Sequence, residues 1–235
     1  MIPAAGFGTR LGALTLSTPK PMIEVAGHTM LERTCKHLQE AGFKHITINT
    51  HYLAEQIHSF IPILKEKFPH IDFHISHEPE LLNIGGGMKK IAQDFKVSEF
   101  LVFNSDTLLY GESQPLKPIL EYWDPKYMDA LIYLNNKLNP KAEADFNLRE
   151  DGKLIRTPDK KEHMFFHAGI SIYRAEPLLS VPSDKFHIIT DYILPKMSTE
   201  HNFYGTILDA NYIDIGTPEN LKLARGKELG DLPSC

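Results

Sequence analysis

The chain has 235 residues and a formal charge of −5, from 25 Lys and Arg against 30 Asp and Glu. That balance leaves no electrostatic footprint for nucleic acid, no apolar run approaches the ~18–20 residues of a membrane span, and Cys35 and Cys235 are too few for a disulfide framework. The length supports one sizeable core, and the start lacks the basic and apolar regions of a secretory leader, so composition predicts a cytoplasmic globular protein.

Met1-Ile2-Pro3 is a short apolar start that runs into a glycine-rich turn, Ala4-Ala5-Gly6-Phe7-Gly8-Thr9-Arg10-Leu11-Gly12. Met30 to Ala41 places Leu31, Cys35 and Leu38 on one helical face, with Gly42 as its stop. His45 to His51 alternates Ile46 and Ile48 as a strand does, and Leu53 to Leu64 returns to helical spacing. Ile71, Phe73 and Ile75 alternate again, Gly85 to Phe95 reads as a helix entered through three glycines, and Phe100 to Phe103 is a buried-strand run. This alternation predicts an α/β protein with a doubly wound, Rossmann-like, mostly parallel sheet, and ligands at the carboxyl ends of its strands.

The second half reads as more antiparallel. Asp129 to Asn135 is strand-like, and Phe146 to Leu148 with Leu154 to Arg156 flank a hairpin turn at Glu150-Asp151-Gly152. Phe165 to Tyr173 is a long strand containing Gly169, Phe203 to Leu208 and Asn211 to Ile215 suggest a second hairpin around Asp209-Ala210, and a last helix opens at Thr217-Pro218. No linker or repeat interrupts the chain. The expectation is one domain over 1–235, with a nucleotide half to about 125 and a substrate half beyond.

The chemistry concentrates in the first turn. Glycines let backbone N–H groups approach a phosphate chain, and Arg10 and the proline-flanked Lys20 supply the charge that amides lack. No lysine follows Gly12 as a P-loop requires, and Gly6, Gly8 and Gly12 miss the dinucleotide spacing by one residue. A plain strand-to-helix turn would explain the glycines alone. It does not explain Arg10 or Pro19-Lys20-Pro21, where prolines fix the backbone that aims the amine.

Two carboxylates stand out. Asp106 follows the apolar strand, where such a sheet gathers its ligands, although aspartate is also common in turns. Asp214 lies in an otherwise apolar strand, where an unpaired carboxylate is unfavourable; a shared metal ion or a lysine salt bridge would relieve it. The twelve histidines give no metal pattern along the chain. His163 and His167 sit in strand-like sequence, His70, His74 and His77 straddle another strand, and no His-Glu-x-x-His occurs.

Together these segments resemble the sugar-1-phosphate nucleotidyltransferases, whose signature is AAGxGTRL…PKP. Asn104-Ser105-Asp106 resembles the family's N-x-D, and Tyr212 to Pro218 resembles W-x-D-I-G-T-P with tyrosine for tryptophan. Glu78 to Gly87 is similar to the base-recognition segment, with Asn83-Ile84 where Glu-Thr or Gly-Thr is usual, and Asp145-Phe146-Asn147 is similar to a sugar-side stretch of the muramate branch. The resemblance implies a nucleotide-diphospho-sugar transferase fold. It also implies an enzyme that joins an NTP and a sugar 1-phosphate into an NDP-sugar, releasing pyrophosphate. It makes Arg10, Lys20 and Asp106 catalytic and puts Ala5, Gly6, Gly8, Thr9, Arg10, Lys20, Glu78, Gly85, Gly86 and Asn104 against the nucleotide. Asp145, Asn147, Gly169 and Asp214 would meet the sugar phosphate, and Asp106 with Asp214 would hold Mg²⁺.

The implied partners are small molecules, with no nucleic acid and no membrane, and the oligomeric state is open. The branch implied first is the N-acetylmuramate-1-phosphate uridylyltransferases, then mannose- or heptose-1-phosphate guanylyltransferases. A phosphocholine cytidylyltransferase is the further alternative, with Trp123, Tyr133 and Tyr173 as candidate cage residues. Metal-dependent glycosyltransferases of related fold use Asp-x-Asp, and Asn104 occupies the first of those positions. Family members carry more residues ahead of the glycine turn, and a leucine at the place of Pro3, which leaves an upstream start or a short first strand as alternatives.

Overall fold

The computed structural model describes residues 1–111, 115–135, 146–155, 164–197 and 202–226; Asp145, Arg156, His163 and Cys235 lie outside them. The chain divides into two compact units, each assembled from separated segments: Met1–Leu82, Phe103–Lys117 and Ala210–Cys235 form one, Asn83–Val102 and Pro118–Asp209 the other.

The first unit is built on a parallel sheet of three strands, Ile2–Pro3, His45–Thr50 and Asp72–His77, with His45–Thr50 in the middle. Ile2, Ile46 and Ile48 are fully buried, as the apolar alternation predicts. The helix Met30–Glu40 buries Leu31, Cys35 and Leu38 and opens with a capping box, in which the Thr29 hydroxyl and Glu32 carboxylate each accept from the other's backbone amide. Burial pushes the Glu32 carboxyl up, but the Lys67 ammonium and the Thr29 bonds outweigh it and hold it below its ordinary value. The helix Ala54–Lys67 connects the second and third strands in the right order for a βαβ unit.

Two short strands, Glu24–Val25 and His28–Thr29, pair antiparallel across Ala26-Gly27, both in the left-handed region at φ 49° and 77°, as a two-residue hairpin turn demands. A further antiparallel pair, Thr107–Tyr110 with Asn211–Asp214, lies beside the helix Pro218–Arg225. Leu11, Val25, Met30, Leu108, Ile213, Ile215 and Leu221 close one core among these elements.

The second unit orders its strands Leu154–Ile155, Phe146–Leu148, Met164–Arg174, Ala130–Asn135 and Phe203–Ile207, with Glu99–Phe103 pairing Met164–Arg174. The hairpin expected across Glu150 to Gly152 forms, with Gly152 at φ 81°. The second expected hairpin does not. Phe203–Ile207 runs parallel to Ala130–Asn135, whereas Asn211–Asp214 pairs with Thr107–Tyr110 in the first unit. Burial decides this, because the sites that receive the two strands are different cores. Gly205 packs tightly under Leu134, Leu154 and Leu148, and Ile213 packs with Leu108. Gly169, at φ 78°, sits where the pairing of Met164–Arg174 with Ala130–Asn135 slips register, a bulge that glycine accommodates.

Candidate active site

The glycine-rich turn leaves the carboxyl end of the strand Ile2–Pro3 and enters a 3₁₀ segment, Thr9–Leu16. Gly8 adopts φ 67°, and a Cβ there would stand 3.0 Å from the Thr15 methyl, so the position requires glycine on two grounds. Its carbonyl accepts from the Leu11 amide and the Thr15 hydroxyl, both at 3.0 Å, which folds the loop onto itself. Gly6, in contrast, has no heavy atom within 4 Å of the place a Cβ would take. Ala5 is buried, and Thr9 and Arg10 are exposed.

A buried amide sets the base of the loop. Asn49, near the end of the central strand, accepts from the Ala4 amide at 2.8 Å and donates to Glu78 Oε1 at 2.7 Å. The other Glu78 oxygen accepts from the Leu82 amide at 3.0 Å, and the Glu78 carbonyl meets His51 Nδ1 at 2.8 Å. Glu78 is fully buried, so its carboxylate organises the segment leading to Leu82. Asn49 escaped the sequence reading; its one signal was an amide in a strand position that is otherwise buried.

Pro19 is extended and Lys20 begins a short 3₁₀ turn, Lys20–Met22, closed by Met22 donating to the Pro19 carbonyl at 2.8 Å. This points the Lys20 ammonium at Asp106, with which it forms a short, partly buried ion pair. Asn104 and Ser105 shape that approach. The Ser105 hydroxyl donates to the Pro3 carbonyl at 2.7 Å, and Asn104 accepts the Thr107 amide at 3.1 Å.

Asp214 joins the same group. Its strand is locked in register, with Asp214 opposite Thr107, and the Ile215 amide donates to the Asp106 carbonyl at 2.8 Å. Arg10 Nη1 lies 3.8 Å from Asp214 Oδ2, while Asp214 Oδ1 is buried with no hydrogen-bond partner. Burial raises the Asp214 carboxyl, the nearby Asp106 charge raises it further, and Lys20 and Arg10 offset only part of this. Gly216 completes the corner: a Cβ there would meet Arg10 Nη2 at 2.7 Å and Asp214 Oδ1 at 2.8 Å.

The first unit therefore brings Arg10, Lys20, Asp106 and Asp214 together, with Gly6 and Gly8 beside them in sequence. Gly85, Gly86, Asn147 and Gly169 belong to the second unit, and Asp145 is outside the described residues. There Gly85 packs flat beneath the Phe186 ring, and the Gly86 amide donates to the Phe186 carbonyl at 3.3 Å. Asn147 is buried within its sheet.

Fold and site define an α/β protein with a cationic, glycine-rich loop at the carboxyl end of a parallel strand and two carboxylates facing it. The sequence model described as Nucleotidyl transferase matches residues 1–228, and the chain belongs to that family. Among its relatives, the mannose-1-phosphate guanylyltransferase catalytic subunit beta of Drosophila pseudoobscura pseudoobscura is 27% identical over 94% of this chain, which spans 59% of that protein. The D-glycero-alpha-D-manno-heptose 1-phosphate guanylyltransferase of Aneurinibacillus thermoaerophilus is 27% identical over 97% of both chains. The N-acetylmuramate alpha-1-phosphate uridylyltransferase of Caulobacter vibrioides is 25% identical over 98% of this chain and 96% of its own. The solved structure of HddC from Yersinia pseudotuberculosis complexed with GMP-PN superposes with a TM-score of 0.77 at 26% identity, over 95% of this chain and 96% of that one. Among the described residues no helix is long and apolar enough to cross a membrane.

Proposed function

We propose that the protein is a sugar-1-phosphate nucleotidyltransferase, and that its substrates are UTP and N-acetylmuramate 1-phosphate. The observation that carries the reaction class is the corner where Lys20 pairs with Asp106 and Asp214 keeps a buried oxygen without a partner. An orphaned carboxylate oxygen in a carboxylate pair fits a hard divalent cation, which takes oxygen ligands. Asp106 and Asp214 are the residues that would hold Mg²⁺; when bound, the ion neutralises charge on the α-phosphate.

In this reaction a sugar phosphate oxygen attacks the α-phosphorus of the NTP in line. The new P–O bond forms as the bond from the α-phosphorus to the pyrophosphate oxygen breaks. A phosphate monoester has a second pKa of about 6, so the nucleophile is largely dianionic at neutral pH and needs no general base. The barrier is the meeting of an anion with a polyanion, which positioning and charge neutralisation lower. Arg10 and the amides from Gly6 to Arg10 hold the β- and γ-phosphates and receive the charge of the leaving pyrophosphate. Lys20, aimed by its prolines and Asp106, bridges the α-phosphate and the incoming sugar phosphate. Asn49 and Glu78 act as positioning residues, keeping the loop and the segment to Leu82 in place.

The corner is packed closely enough to test without touching a charged group. Gly216→Ala should push Arg10 and Asp214 apart and lower kcat/KM at least about tenfold, since displacements near 1 Å cost on that order or more. The melting temperature should stay near wild type, and steady-state kinetics beside a thermal melt check both. An unchanged kcat/KM would remove Arg10 and Asp214 from a common arrangement.

The uridylyl reading rests on the resemblance of Glu78 to Gly87 and Asp145 to Asn147 to the muramate branch, and on the end-to-end match with the Caulobacter enzyme. A guanylyl reading is favoured by the heptose enzyme and by HddC with its guanine nucleotide. Phosphocholine is disfavoured as substrate, because Tyr133 and Tyr173 are buried in the second unit, which leaves only the half-buried Trp123 of the three candidates, and one ring makes no cage for a quaternary ammonium. A pyrophosphate-release screen of five nucleotides against sugar phosphates and phosphocholine separates these readings. Base discrimination rests on hydrogen bonds that a wrong base leaves unpaired. The expected result is therefore one nucleotide preferred by at least about a hundredfold, with UTP first. Preference for GTP would transfer the assignment to the guanylyl branch.

A further inference from the structure

A second group of ligating side chains lies at the opposite end of the same parallel sheet. The loop residues follow the carboxyl ends of the strands; His45 and Asp72 stand at the amino ends of theirs, six residues earlier at ~3.3 Å per residue. His45 and Asp72 are Cα partners, and Thr47 pairs with His74 two residues on. Side chains alternate along a strand, so His45, Asp72 and His74 occupy one face.

The geometry on that face is convergent. Asp72 Oδ2 lies 2.9 Å from His74 Nε2 and 3.6 Å from His45 Nδ1. The two imidazoles stack with centroids 6.2 Å apart and 25° between planes. One donor atom from each residue falls within 4.8 Å of the others. Ligands at ~2.0–2.1 Å from a tetrahedral ion are about 3.4 Å from each other, a spacing these donors reach with small side-chain rotations. An Asp72–His74 hydrogen bond alone does not account for His45, whose nitrogen faces the carboxylate beyond hydrogen-bond range.

We propose that His45, Asp72 and His74 form a binding site for a divalent transition-metal ion of the Zn²⁺ class, separate from the Asp106–Asp214 pair. Two imidazoles and one carboxylate suit such an ion and not Mg²⁺ or Ca²⁺, which prefer oxygen. Three protein ligands leave a further position for water or an outside group, and the exposure of His45 and Asp72 gives the ion access. Bridging two neighbouring strands, the ion ties the sheet's amino end.

Calorimetric titration of the full chain with Zn²⁺, in saturating Mg²⁺, tests the site. Wild type should show one tight site. His45→Gln and His74→Gln should each weaken it at least about tenfold, comparable with or above the loss from removing a ligand's hydrogen-bond partner. The double variant should lose the site, whereas Asp106→Asn with Asp214→Asn should keep it. With Cu²⁺ as probe, electron paramagnetic resonance should count two imidazole nitrogens in wild type and one in either single variant. If His74→Gln does not fold, His45→Gln alone carries both readings, because His45 is 76% exposed and supports no core. Unchanged Zn²⁺ affinity and stoichiometry in His45→Gln, or loss of the site with the two aspartates, overturns the proposal.

Discussion

Lys20→Ala is expected to lose more than nine-tenths of kcat/KM while the protein stays folded. In the proposed reading the ammonium is the cation that a phosphate meets at the Asp106 corner, and its position is set by Pro19 and Pro21 rather than by chance packing. Without it, Asp106 faces Asp214 with one fewer compensating charge, so an incoming polyanion meets net repulsion instead of attraction. The loss should fall on kcat as well as KM, because the interaction strengthens as charge gathers on the α-phosphate. Lys20→Arg should recover only a part, since a planar fork cannot replace a compact ammonium in a site where the side chain is 14% exposed. Retention of more than a tenth of wild-type kcat/KM by Lys20→Ala would show that the role assigned to it is wrong.

Asp106→Asn and Asp214→Asn should each reduce kcat/KM strongly and raise the Mg²⁺ concentration needed for half-maximal rate. Both carboxylates serve one ion in the proposed reading, so the double variant should be little worse than the poorer single one. Independent, multiplicative losses would argue for separate roles, and full activity of wild type in excess chelator would remove the metal. Stability separates the two residues. Asp214 is held in a place that disfavours its charge, through burial and the neighbouring Asp106. Without Mg²⁺, Asp214→Asn should therefore melt at or above the wild-type temperature, as residues placed for function often do when neutralised. Asp106→Asn should melt lower, because it breaks the pair with Lys20. Chelator-treated thermal melts give both signs in one experiment.

Much of the corner is readable from the order of residues. A glycine-rich turn, a lysine fixed by prolines and an aspartate ending an apolar strand are local devices legible in the order of residues. Gly8 at φ 67° and the 3₁₀ turn at Lys20 bear this out in the fold. The same holds for elements with a strong period. The helix Met30–Glu40 and the strands His45–Thr50 and Met164–Arg174 fall within a residue or two of their patterns.

What the sequence could not settle is partnership across the chain. Phe203–Ile207 and Asn211–Asp214 are close enough in sequence to read as a hairpin, yet Phe203 pairs with Ala130, 73 residues away, and Asn211 with Tyr110, 101 residues away. Local spacing says which residues share a face, but only burial against a core selects the strand that receives them. Asn49 shows the same limit. Its role depends on Ala4 and Glu78, 45 and 29 residues distant, so nothing in its neighbourhood announces it. His45 and His74 are the clearest case: neither shares a motif with the other, and strand register alone brings them to one carboxylate. Spacing thus carried the α/β fold class, and the resemblance to the family singled out the glycine-rich loop with Asp106 and Asp214. The pairing of strands, the buried support beneath the loop and the convergence of distant histidines were decided by tertiary structure, because they depend on contacts whose energy exists only once the core has closed.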